Sequence, residues 1–175
     1  MKSFKNYFNG HKFLPSLQNI SFESPSRTSN LFIYYNNPNQ NQKNSIIWIG
    51  GGNAIDNSGP VFSNSNFAWG FQLPFPNGSQ CIALQSNSFI RQSIYLISGN
   101  YTISLYYISR FTAFANQIQI LLDDNIIGSF CNIGVNTWTL FSTSFTTSNT
   151  SIIVLKFLGT STNDATTGID NIVIV

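Results

Sequence analysis

From Gln80 to the end of the chain, apolar and polar positions alternate in short runs broken by turn formers. The runs are Gln80–Leu84, Ser88–Leu96, Tyr101–Arg110, Gln117–Leu122, Asn125–Phe130, Thr137–Phe145, Ser151–Leu158 and Ile169–Val175. Between them stand Ser98-Gly99-Asn100, Asp123-Asp124-Asn125 and Ser148-Asn149. A period of two is the signature of a strand with one face buried. Strands at this spacing, with no amphipathic helical stretch between them, predict an all-β fold of two antiparallel sheets packed as a sandwich or jelly roll. The period also sorts faces. Tyr101, Ile103, Leu105 and Tyr107 share one side with the core, as do Ile118, Ile120 and Leu122. The opposite sets predict an exposed sheet face carrying Tyr106, Arg110 and Gln119.

The first half is less regular. Residues 1–18 read as an arm, and residues 19–175 as one domain. A short strand is expected over Asn19–Glu23, stopped by Pro25, which cannot donate to a ladder. Leu31–Tyr35 is a second apolar run, followed by a polar loop over Asn36–Gln42. Ser45–Ile49 predicts a strand containing Trp48. Gly50-Gly51-Gly52 breaks it, and Asn53–Asp56 resumes it. Residues 57–80 read as a long surface loop carrying Phe62, Phe67, Trp69, Phe71 and Phe75. Trp48 and Trp138 are expected in the core.

Composition narrows the function. Charged residues make up 8% of the 175 residues, far below the usual quarter or so. The surface is therefore built from Asn, Ser, Thr and Gln. Aromatics at 15% argue against disorder. The eight Lys and Arg residues are scattered, leaving no basic stripe for nucleic acid. No apolar run is long enough for a transmembrane helix, so no membrane insertion is expected. The basic N-terminus lacks the apolar core of a signal peptide. A polar, low-charge surface suits the outside of a cell, and a missing signal suits the inside. A viral or phage particle protein satisfies both. Cys81 and Cys131 are expected to be buried free thiols. His11 is the only histidine and has no partner motif for catalysis. Asp123-Asp124-Asn125 lacks the rest of an EF-hand loop and reads as a hairpin turn.

Two carboxylates stand out. Glu23 is the only glutamate and closes the first predicted strand. Asp170 opens the apolar closing run Ile169–Val175. If these strands are neighbours, the carboxylates converge.

The order of short motifs then becomes informative. Asn19-x-Ser-Phe-Glu23 is followed by Trp48-Ile49-Gly50, Gly78–Gln85, Ile90–Ile94, Gly99–Ser104 running to Arg110, Ile118-x-Ile-x-Leu-Asp123, Trp138 ahead of Ser144-Phe145, and Gly168-Ile169-Asp170-Asn171-Ile172. Over residues 19–175 this resembles the galactose-binding-like jelly-roll superfamily, whose carbohydrate-binding modules and related plant cell-wall domains begin and end with similar motifs. The resemblance implies a non-catalytic carbohydrate-binding sandwich with a structural Ca²⁺ held by Glu23 and Asp170 and backbone carbonyls, a donor set that suits a hard cation. The competing reading has Glu23 capping a turn or pairing with Arg27, and Asp170 bonding the loop Thr166–Gly168. For a glycan, Tyr106 would stack on sugar C–H faces while Arg110 and Gln119 bond hydroxyls. Arg110 could equally brace the loop Phe111–Asn116. Trp69 and Phe71 are further ring candidates, against packing beneath their own loop. The rival function is a structural component of a viral or phage particle. There the sandwich would contact other virion or surface proteins, or self-associate through residues 1–18 and exposed aromatics.

Overall fold

The computed structural model describes residues 17–18, 20–23, 32–34, 48–51, 60–63, 71–110, 115–131 and 136–175. Their strands are β1 (Phe32–Tyr34), β2 (Ile49–Gly51), β3 (Pro60–Ser63), β4 (Cys81–Gln85), β5 (Phe89–Leu96), β6 (Gly99–Ser109), β7 (Ile118–Leu122), β8 (Asn125–Phe130), β9 (Thr139–Thr147), β10 (Ser151–Gly159) and β11 (Thr166–Ile174). They form a six-stranded sheet in the order β1-β3-β4-β11-β6-β9 and a five-stranded sheet in the order β2-β5-β10-β7-β8. Every pairing is antiparallel. The two sheets face each other across one core. That is the predicted all-β antiparallel sandwich.

The core is filled as the alternation requires. Ile103, Leu105 and Tyr107 from the large sheet meet Ile118, Ile120, Leu155 and Phe157 from the small one. Trp48 is buried among them, its ring 5.8 Å from Phe22 and 5.9 Å from Phe157. A second, smaller cluster lies outside the large sheet. There Phe71 and Phe75 fold back over Cys81, Ala83 and Ile108, with Trp138 packed against them. The Trp138 indole N–H donates to Gln72 O at 2.8 Å, pinning this flap. Phe71 thus packs beneath its own loop, and Trp138 belongs to this outer cluster rather than to the main core.

Five local expectations change. Residues 20–21 form a turn, not a strand, and Phe22 takes a left-handed φ of 59°. A bulky residue adopts that conformation only when its surroundings demand it. Here the turn drops Phe22 into the core. Gly50 and Gly51 continue a strand, because pairing with Ile90 and Phe89 overrides their weak propensity. Pro60–Ser63 is a strand inside the expected loop 57–80, with Pro at its first residue, where a missing N–H is tolerated. The last strand begins at Thr166, so Thr166–Gly168 is ladder, not loop. Both cysteines are free as expected, but Cys131 is exposed at the end of β8 rather than buried. Of the expected arm, Leu17 packs on the core and Gln18 exchanges two hydrogen bonds with the Gln92 amide, at 3.0 and 3.1 Å. Residues 1–16, 53–56 and Trp69 lie outside the described residues.

Candidate functional site

The two carboxylates do converge, on the loop ahead of β4. Glu23 Oε1 accepts from the Ser79 and Gln80 amides at 2.8 and 2.9 Å, and Oε2 accepts from the Ser79 hydroxyl at 2.8 Å. Asp170 Oδ2 accepts from the Asn77 amide at 2.8 Å, and Oδ1 from the Asn171 amide at 2.7 Å. The Gln80 side-chain amide donates to Phe22 O. Gly78 takes φ +81°, and a Cβ there would overlap the Glu23 carboxylate. A β-bulge between Asp170 and Val173, with Asn171 at φ 51°, turns the Ile172 amide toward Ile20 O at 3.0 Å. Bulges commonly re-aim side chains in this way. The chain's first described turn and its last strand are thereby clasped to one loop. Glu23 caps that loop, and Asp170 bonds Asn77 and Asn171 instead of residues 166–168.

Asp170 is fully buried. Burial pushes its pKa up to about 7, the Asn77 and Asn171 amides pull the other way, and the Glu23 charge adds to the rise. The Cys81 thiol is raised by its own burial and by the same two carboxylates. Among the described residues neither Glu23 nor Asp170 has an ion-pair partner, and no group of three or more His, Cys, Asp or Glu side chains assembles. The donors here are hard oxygens. Glu23 Oε1 already accepts two amides, while Glu23 Oε2 and both Asp170 oxygens accept one hydrogen bond each and keep a lone pair. Among the described residues no cation pairs with either carboxylate. This set fits a Ca²⁺-like ion if backbone carbonyls complete it.

The expected grouping of Tyr106, Arg110 and Gln119 on one sheet face does not form. Tyr106 lies on the outside of the large sheet, opposite Asp170 and Leu140. Gln119 lies on the small sheet, opposite Leu158 and Ser129. Both point outward, but from opposite sides of the sandwich. Alternation says whether a residue faces the core, not which sheet its strand joins. Arg110 sits past the end of β6 and forms an ion pair with Asp164 at 2.8 Å. It braces the loop between β10 and β11; of the loop 111–116, residues 111–114 lie outside the described residues.

Gln119 has company on the outer face of the small sheet. One cross-strand row reads Gly51, Phe89, Leu158, Gln119, Ser129, and the next reads Ile49, Arg91, Lys156, Leu121, Ile126. Tyr95 and Ile152 form a further pair. Ile49, Ile126 and Ile152 are at least half exposed, and Tyr95 is 37% exposed. Phe89 leans over Gly51, where no side chain competes for the space. The Arg91 guanidinium lies 5.9 Å and the Lys156 ammonium 5.6 Å from the Phe89 ring centre. The period that sorted 101–110 also sorts 88–96, placing Phe89, Arg91, Ser93 and Tyr95 outward. The signal was present in the sequence.

A cleft of about 330 Å³ opens at the end of the sandwich bearing the β7–β8 and β9–β10 turns, over Leu122, Ile127, Phe145 and Ile153. Its ring, Phe145, is buried and stacked on Tyr101 at 5.5 Å. Thr146 and Thr147 on its rim already donate to Asn100 and Ile97.

No protein-family model matches the chain, and no curated relative matches it significantly. Solved structures do. A family 61 carbohydrate-binding module in complex with β-1,4-galactotriose superposes with a TM-score of 0.54 at 13% identity, covering 91% of this chain and 96% of its own. The chain shares the two-sheet jelly-roll fold of this module. The CBM22-1 xylan-binding domain from Paenibacillus barcinonensis gives 0.53 at 11% identity, covering 73% of this chain and 83% of that one. The K2 cleaved adhesin domain of Lys-gingipain gives 0.61 at 11%, covering 89% and 95%. At these identities the likeness is one of fold, and a fold hosts many functions.

Proposed function

We propose that this chain binds carbohydrate without transforming it, on the outer face of the small sheet. The observation that carries the reading is the pair of rows around Phe89. An aromatic ring, a guanidinium, an ammonium and the Gln119 amide share one open, rigid face. Rings cover the apolar C–H faces of a sugar. Amide and cationic donors bond its hydroxyls. Strands hold both sets in fixed relative positions. Phe89 and Gln119 are two strands apart, about 10 Å by ordinary strand spacing, so an oligosaccharide lying across the strands meets both. The fold shared with carbohydrate-binding modules supports the reading. A glycan array with Phe89→Ala and Gln119→Ala tests it: binding by the parent and loss in both variants is expected. Tyr106→Ala tells the two faces apart, since loss there instead would move the site to the large sheet. No glycan held above background would sink the proposal.

Glu23 and Asp170, in the same proposal, hold a structural Ca²⁺ that joins the first and last segments. When bound, the ion supplies positive charge to two carboxylates otherwise left to repel each other. The chain's part is to fix those carboxylates through the amides of residues 77–80 and 171.

A second reading, an assembly role in a particle, draws on β9. Among the described residues it ends the large sheet, pairs unbroken with β6 over nine residues, and carries neither charge nor proline. Such an edge is a template for pairing with another strand. Mass measurement in solution decides: self-association abolished by Leu140→Lys, at an exposed position of the same strand, supports it, and a strict monomer at high concentration removes it.

A further inference from the structure

Resting on the reading of the small-sheet face as a glycan platform, we infer that its ligand is anionic: a sugar whose carboxylate or sulfate group sits between Arg91 and Lys156. These two residues are direct partners across β5 and β10. Like charges directly opposite each other destabilise an antiparallel pair, a cost that contacts with the Phe89 ring and one wet ion pair offset only in part. The arrangement is also costly in a protein with so few charges. Eight basic residues occur in the whole chain. Of the three that fall among the described residues, two are set face to face on this surface.

Nothing described neutralises both. Asp124 reaches Lys156 at 2.9 Å, but its side chain is 83% exposed, and pairs that wet are weak. Asp123 directs Oδ1 to the Val154 amide at 2.8 Å. Asp164 is engaged by Arg110 beyond the end of β6. Among the described residues Arg91 is the cation with no carboxylate partner. Both cations lie within 6 Å of the Phe89 ring centre, and that contact holds them together on one side of the platform. A neutral sugar needs amides, hydroxyls and rings, which this face already has in Gln119, Ser129, Phe89 and Tyr95. The added pair of cations is what an oxyanion needs: a fork that donates two N–H groups to it, and a second positive charge beside it. The platform therefore selects acidic glycans over their neutral counterparts.

The test is titration calorimetry of the full chain at low salt with four polymers: polygalacturonate, its methyl ester, dextran sulfate and dextran. At least one charged polymer is expected to bind about tenfold or more tighter than its neutral counterpart, as one charge-assisted contact provides. The gap should shrink with added salt. The tighter of the two charged polymers names the anionic group. Arg91→Gln and Lys156→Gln, both at outward-facing positions and checked for an unchanged melting midpoint, are expected to close the gap by weakening the charged polymers far more than the neutral ones. Equal binding of charged and neutral polymers overturns the anionic preference and leaves the glycan reading standing. So does a preference that survives both substitutions. Failure of all four polymers, together with an empty glycan array, overturns both.

Discussion

Replacing Asp170 by Asn separates the two ways in which the clasp can manage its charge. In the metal-free chain, burial and the Glu23 charge raise Asp170 from 3.8 to about 7. Between those values the folded state holds a proton that the unfolded chain has released. A state that binds more protons gains stability as pH falls. The contribution of Asp170 is therefore fully present below about pH 4 and lost as pH rises through about 7. At ~1.4 kcal/mol per pH unit, that interval amounts to roughly 4 kcal/mol. For a domain of this size it corresponds to a midpoint change on the order of 8–16 °C. The assay is thermal unfolding in EDTA at steps from pH 3.5 to 8, with the parent and Asp170→Asn in parallel. The variant loses one of its two acceptors for the Asn77 and Asn171 amides. It is expected to start about 1–2 kcal/mol lower, but to lack the downward slope. The difference between the two curves cancels the titration of other groups. Calcium reverses the parent's behaviour, because it favours the ionised carboxylate. At saturating Ca²⁺ the midpoint should rise at neutral pH and fall as acid competes for Asp170. A parent curve in EDTA that is flat or rises with pH, or one matched by the variant, refutes the account of Asp170. A midpoint unmoved by Ca²⁺ removes the metal.

Three further outcomes follow from the packing. Gly78→Ala, at φ +81° and against the Glu23 carboxylate, is expected to cost about 1–3 kcal/mol in urea unfolding and to weaken any calcium response. An unchanged midpoint would mean the loop does not seat Glu23 as described. Asn116→Ala should cost about 2–4 kcal/mol, since buried Asn116 donates to Leu84 O and Ser86 O and accepts from Ser161 N. A loss below about 0.5 kcal/mol would count against that hub. A thiol reagent should label Cys131 in the native protein and Cys81 only in denaturant, because Cys81 is fully buried. Two fast-reacting native thiols would contradict the outer cluster.

The fold was legible where the signal is local. Asn125–Phe130 and the alternation in Tyr101–Tyr107 follow from period and turn chemistry alone, and the structure keeps both, whereas Ile108, expected to face outward, is buried beneath the Phe71 flap. Legibility failed where neighbours decide. Gly50 and Gly51 look like breakers until β5 lies beside them. Residues 20–23 read as a strand, yet the core's hold on Phe22 and the loop's hold on Glu23 turn the chain instead. Asn116 carried no signal at all, because its importance lies in three partners from distant segments.

The sites divide in the same way. Sequence alone determined that Glu23 and Asp170 were out of place, since a lone glutamate and an aspartate opening an apolar strand are composition and pattern. It also determined that Tyr106 and Gln119 point outward. Tertiary structure decided that the two carboxylates share one loop and that Tyr106 and Gln119 look out from opposite sheets. It alone set Arg91 against Lys156. A residue's inward or outward direction is a property of its own strand, repeating every second position. Its sheet and its cross-strand partner depend on which distant strands pair and in what register, and those choices arise only when the whole core closes.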